Sequence, residues 1–233
     1  MSFRQLKKDV FKLLIHDDFS NSLVRLSRLP GRQVVNPLIS FLYHTDEIVR
    51  WHAVSAMGVV TAGLADKKME SARVIMRRLI WNLNDESGGI GWGSPESMGD
   101  IMARSDLVAQ EFSKILISYV LPHGNFLEHE ILQRGLLWGL YRLSQVKPEL
   151  TYGAAPFVHP FLTSGDVYHR GLAICFAGAV RDSNAIPCLE TLARDNARIS
   201  LYTDYRMTSH KIANLAASAI AAIQQNASAP GTP

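Results

Sequence analysis

Residues 45–60, TDEIVRWHAVSAMGVV, return in outline 120 positions later as GDVYHRGLAICFAGAV, residues 165–180. At this one offset Asp46 falls on Asp166, Arg50 on Arg170, Ala53 on Ala173 and Gly58 on Gly178. A self-match of this kind confines the chain to architectures that stack one supersecondary unit, because such a unit buries its apolar face only against copies of itself. The offset fits three units of about 40 residues, inside the period range of helical-pair solenoids. Arg134-Gly135-Leu136 echoes Arg170-Gly171-Leu172 at a further offset of 36. Each matched residue has a mechanical role. The aspartate caps a helix at its positive end, the small residues admit a neighbouring helix, and the arginine one turn in reaches a neighbouring repeat's cap.

Periodicity carries the same reading along the chain. Apolar residues recur at helical spacing in segments of about three turns, separated by short polar breaks, with no convincing period-two run. The predicted pairs are 3–15 with 20–29, 34–43 with 46–63, 69–83 with 95–104, 107–121 with 126–145, 152–162 with 166–181, and 185–194 with 207–224. Pro30, Pro122, Pro148 and Pro187 fall between or at the starts of these helices, where a missing amide is tolerated. The expected fold is all-α, an α-solenoid of about six antiparallel helix pairs forming one domain over residues 1–224. A small, polar, proline-bearing tail over 225–233 is expected to be disordered.

Composition narrows the class. With 47% apolar and 19% charged residues, the chain can bury a substantial core. The N-terminal MSFRQLKKDVFKLL interrupts its apolar positions with charges and reads as a domain helix, not a signal peptide. No uninterrupted apolar run reaches the roughly 18 residues of a membrane span. Cys175 and Cys188, the two cysteines, stand among apolar residues, which disfavours a disulfide framework or cysteine metal cage and makes a reducing cytoplasm the expected setting. A formal net charge of +3 is too balanced to imply nucleic acid.

The D-x-x-x-R-x-x-A-x-x-x-x-G pattern of Asp46–Gly58 and Asp166–Gly178 resembles the second-helix signature of the HEAT-repeat family, and the likeness extends loosely over most of residues 34–224. That resemblance implies a right-handed, curved α-solenoid, HEAT/armadillo-like, whose second helices line a concave face most often used to hold a protein partner.

One stretch departs from plain helix. NLNDESGGIGWGSPESMGD, residues 82–100, expands the connector of the third unit to roughly 84–94, where the second unit uses only His44 and Thr45. Asn84 and Asp85 can close the preceding helix, and Ser94-Pro95 reads as an N-cap followed by proline at the first helical position. Trp92 and Glu86 exceed what a corner requires. Phosphate binding is disfavoured, because Asp85, Glu86, Glu96 and Asp100 surround a loop without lysine or arginine. The carboxylate spacing matches no calcium loop, and no metal or cofactor is expected. Two readings of Trp92 stand: a semi-exposed anchor for a partner, or a plug between units. The candidate partner-binding residues are Asn84, Asp85, Glu86, Trp92 and Glu96, with Trp51 and His52 on a second helix.

Two enzyme families invite comparison. HEAT-like deoxyhypusine hydroxylases hold two irons with several His-Glu pairs, whereas His129-Glu130 stands alone and reads as a helix start. HEAT-like alkylpurine DNA glycosylases use a basic concave surface with aromatics, for which Arg50, Trp51, His52, Arg73, Arg77, Arg78, Trp81, Trp138 and Arg170 are candidates; the arginine run reads more simply as a solvated face. The last unit also has a long connector, DNARISLYTDYRMTSH, with Tyr202, Asp204, Tyr205 and Arg206. It is either a second rim loop or a cap. No catalytic residue is assigned. The expectation is a non-enzymatic scaffold that binds a protein through its concave face and loop 84–94, the alternative being an enzyme or ligand binder in that groove, acting on nucleic acid or through a metal. The oligomeric state is open.

Overall fold

The computed structural model describes residues 2–84 and 91–227. Its elements are α1 (Phe3–Leu14), α2 (Phe19–Ser27), α3 (Gly31–Phe41), α4 (Glu47–Lys67), α5 (Met69–Leu83), α6 (Ser94–Arg104), α7 (Asp106–Ser118), α8 (Glu130–Ser144), α9 (Ala155–Leu162), α10 (Val167–Val180), α11 (Ile186–Leu192), the strands β1 (Arg198–Thr203) and β2 (Arg206–Lys211), and α12 (Ile212–Ala227). All six expected helix pairs are present, and the architecture is an all-α solenoid carrying one two-stranded sheet.

That sheet corrects the reading of the last unit. Residues 207–211, expected to open the final helix, form β2 instead, and α12 begins at Ile212. Asp204 and Tyr205 make the turn with φ of 48° and 62°. Two successive left-handed residues are what a two-residue hairpin matching the twist of its strands demands. Asn-Gly normally signals such a turn, and Asp-Tyr conceals it. At the other end α12 continues through residues 225–227, which the sequence pattern assigns to the tail; residues 228–233 lie outside the described part.

The described chain divides into two compact units, Met1–Leu116 with Tyr202–Met207, and Ile117–Leu201 with the residues from Thr208 onward. In the first, α4 packs against α2, α3, α5 and α6. Its buried residues, among them Val49, Ala53, Val54, Met57, Val60 and Ala65, lie all around the helix, as befits a segment with neighbours on every side. Each fully buried Val or Met contributes about 2 kcal/mol through the hydrophobic effect. Among the described residues α4 alone is long and apolar enough to cross a membrane, and 67% of its most apolar stretch is buried within the protein.

In the second unit α10 holds the corresponding place, against α8, α9 and α12. Close approach is enforced by glycine: a Cβ at Gly178 would lie 3.0 Å from Ala219 Cβ, and one at Gly171 only 2.2 Å from Ile199 Cδ1. The internal repeat extends to backbone angles. Asp46 and Asp166 each cap their helix at φ −75°, ψ 121°, with side chains that accept from the amides two and three residues on.

Candidate functional site

The repeat's charged residues form a series of rungs. In the second unit Asp166 accepts from the Tyr168 and His169 amides at 2.7 and 3.2 Å, and its other oxygen accepts from Arg134 Nε at 2.8 Å. Burial works against that carboxylate, but the Arg134 guanidinium and the two amides outweigh it and hold the pKa below the usual range. Arg170 donates to Asp195 Oδ2 from Nε at 3.1 Å and Nη2 at 2.8 Å, and to the carbonyls of Ser164 and Gly165. In the first unit Asp46 caps α4, and the charge of Arg50 acts on Glu96 at the start of α6. Ala53 and Ala173 are fully buried within their helices.

The start of α6 departs from the expected cap. Gly93, not Ser94, is the N-cap, in the left-handed conformation at φ 73°, and Pro95 sits one place further into the helix. A Cβ at Gly93 would approach Leu42 Cδ2 to 2.9 Å, so the position excludes side chains both by conformation and by space. With no capping side chain there, Glu96 substitutes: three residues into the helix, it accepts from the Gly93 amide and its own. Burial nevertheless pushes its pKa up to about 7, against the pull of those amides and of Arg50. Its Oε2 is shielded from solvent with no hydrogen-bond partner among the described residues, as are Ser94 Oγ, Ser97 Oγ and Trp92 Nε1. Trp92 is half-buried, and Asn84 is the C-cap of α5 with its amide on the Trp81 carbonyl. Asp85 and Glu86 lie outside the described residues.

Trp51 and His52 belong to a second cluster in the same unit. His52 is 7% exposed and points Nδ1 at the Leu14 carbonyl (2.6 Å) and Nε2 at the Tyr205 carbonyl (3.2 Å), with its ring stacked on Phe19 at 3.6 Å. This corrects its expected place on a binding face: the ring is buried, with a backbone carbonyl beside each nitrogen. Trp51, half-buried, stacks on Tyr202 at 5.0 Å, and the Tyr202 hydroxyl meets Ser55 Oγ at 2.9 Å. Burial raises the Tyr202 pKa. Beside them Asp100, 2% exposed, accepts from Arg104 Nε at 2.7 Å. Burial opposes the Arg104 charge, but Asp100 and the Tyr205 hydroxyl raise its pKa on balance. The tip of the hairpin is thus a packed part of the first unit, and the sequence carries no short-range signal for it. Among the described residues no three His, Cys, Asp or Glu side chains cluster as a metal ion needs.

An open groove lies in the second unit. Of about 740 Å³, it runs across α8, α10 and α12, all second helices of their pairs. Gly178, Ala179, Ser218, Ala219 and Ala222 make a low floor, with Tyr141, Tyr152, Gln145 and Arg181 around it. Arg181, the C-cap of α10, holds a left-handed conformation at φ 56°, unfavourable for a side chain by about 1 kcal/mol. Cys175 also lines the groove, its thiol pushed up to about 12 by burial and therefore a poor nucleophile. Of these residues the sequence pattern assigns a packing role only to Gly178, and it marks Pro148 as a helix boundary and Cys175 as a thiol among apolar residues. The signal available is the small-residue spacing of Ser218, Ala219 and Ala222 on α12, which reads equally as helix packing.

No protein-family model matches the chain. An uncharacterised protein of Archaeoglobus fulgidus is 29% identical over 109 residues, a match covering 47% of this chain; the chain thus spans about half (53%) of that relative's length. Among the solved structures similar to it are engineered or designed proteins. A crystal structure of an engineered protein aligns with 97% of this chain and 98% of its own at TM-score 0.55 and 15% identity. A computationally designed armadillo repeat protein for modular peptide recognition aligns over 95% and 99% at TM-score 0.51 and 15% identity. Another designed armadillo repeat protein, in complex with the peptide (KR)4, aligns over 92% and 98% at TM-score 0.52 and 14% identity. The chain is a helical-repeat protein of the α-solenoid class.

Proposed function

We propose that this chain is a non-enzymatic, HEAT-like interaction module that holds a peptide segment of a protein partner on its second helices. The observation that supports this reading best is the 740 Å³ groove across α8, α10 and α12, floored by small residues and walled by tyrosines and one arginine. Small side chains let a partner's backbone approach, while tyrosines supply rigid, amphipathic contact area with little entropy to lose. Two armadillo neighbours are described as binding or recognising peptides, and they share this chain's fold. The edge formed by Asn84, Trp92 and Glu96 in the first unit is a secondary contact in this reading. Here the half-buried indole of Trp92 supplies apolar contact area for a partner.

Filling the groove tests the proposal. Peptides selected from a displayed random library against the intact chain are expected to bind Ala179→Trp at least about tenfold more weakly, with the urea midpoint unchanged. Selected peptides that bind the filled variant as well as the parent chain would refute it.

A further inference from the structure

We propose that a second groove, between α3 and α5 in the first unit, docks an acidic segment of a partner through its carboxylates and one aliphatic side chain. The groove, of about 340 Å³, has Val35 and Ile75 at its base and Val74, 54% exposed, on its wall. Arg32, Lys68 and Arg78 line it as well. Arg32 donates to Ser71 Oγ from Nη2 at 2.8 Å and Nε at 3.2 Å, and Arg78 donates to Asn36 Oδ1. These acceptors are neutral, so they orient the guanidinium groups without cancelling their charge. Lys68 is the N-cap of α5 and adds its ammonium to the positive end of that helix. The one carboxylate in the lining, Glu70, is bonded by Arg73 and Arg77 and is already neutralised.

The groove is therefore apolar at its base and cationic at its rim, with three charges that have no carboxylate partner among the described residues. Its complement is a chain segment bearing carboxylates around an aliphatic residue, since opposite charge steers the encounter and sets the register while the apolar contact supplies affinity. Trp81 lies on the same strip of α5 as Val74 and Arg78, and at 73% exposure it is a built-in reporter of occupancy.

The experiment uses the intact chain and a labelled synthetic peptide of alternating glutamates and leucines, read by anisotropy and by Trp81 emission. The controls are the same peptide with lysine for every glutamate and a thymidine oligonucleotide of equal charge. The acidic peptide should bind, more weakly as salt rises, and lose at least about tenfold in affinity in Arg32→Gln/Arg78→Gln. Lys68→Glu alone should weaken it severalfold, which keeps the test valid if the double variant loses stability. Ala179→Trp should leave this binding unchanged, separating it from the second-helix groove. Absence of binding, equal binding to the arginine and Lys68 variants, or equally tight binding of the lysine peptide or the oligonucleotide would overturn the proposal.

Discussion

Adding one methyl group at Gly58 tests how closely α4 and α6 are packed. A Cβ there would lie 2.0 Å from Asp100 Oδ2, 2.8 Å from its Cγ and 3.0 Å from Arg104 Nε. The carboxylate cannot step aside freely: it is 2% exposed and holds Arg104 at 2.7 Å. Overpacking of this kind costs about 1–3 kcal/mol. Breaking a buried pair outright costs about 3–5 kcal/mol, and here it is strained rather than lost. Alanine regains about 1 kcal/mol of helix propensity over glycine. Gly58→Ala should therefore destabilise the protein by about 3 kcal/mol. Gly63, on the same helix, has nothing within 4 Å of where an added methyl would sit, so Gly63→Ala should stabilise by up to about 1 kcal/mol. The gap of about 4 kcal/mol corresponds to a urea midpoint separation of about 2 M. Three of the four tryptophans, Trp51, Trp81 and Trp92, belong to the first unit and Trp138 to the second, so tryptophan emission follows mainly the unfolding of the first. Removing the clashing carboxylate in Gly58→Ala/Asp100→Ala should make the two substitutions strongly non-additive. Equal midpoints for Gly58→Ala and Gly63→Ala would refute the wedge of Asp100 against Gly58.

Two further predictions concern the rungs. Because burial raises the folded pKa of Glu96 from 4.5 to about 7, its contribution to stability is fully present below pH 4.5 and is lost as pH rises through 7. A shift of that size amounts to roughly 3 kcal/mol, so Glu96→Gln should flatten the fall in urea midpoint across this window and leave the protein more stable than its parent at pH 8. At the repeat caps, Asp166→Ala should cost about 1–2 kcal/mol by thermal melting, through loss of the cap and of Arg134's partner. Asp166→Asn, which keeps a capping oxygen, should cost about 1 kcal/mol or less; equal losses would show that the cap contributes nothing.

The two aspartate caps illustrate what is legible in a sequence of this kind. Asp46 and Asp166 act on amides two and three residues away, and the apolar spacing of each helix reports a face over only a few turns. The expanded connector at 84–94 is visible for the same reason, as a break in a local pattern. Its cap reads one residue late, at Ser94, because the left-handed angle of Gly93 depends on packing against Leu42. His52 and Trp51 read as surface candidates, since nothing nearby in sequence announces Phe19, Leu14 or the hairpin tip as their neighbours.

Local chemistry alone thus determined the helix pairs, their caps and the repeat that relates them, because hydrogen bonds and side-chain periodicity within a turn or two are encoded in adjacent residues. Tertiary structure decided which polar groups meet. Ser55 and Tyr202 stand 147 positions apart, and the groove over α8, α10 and α12 exists only where small residues from separate helices come side by side. Long-range contacts of that kind follow from the way hairpins stack, and stacking depends on shape and volume summed over many side chains, a quantity no short window of sequence contains.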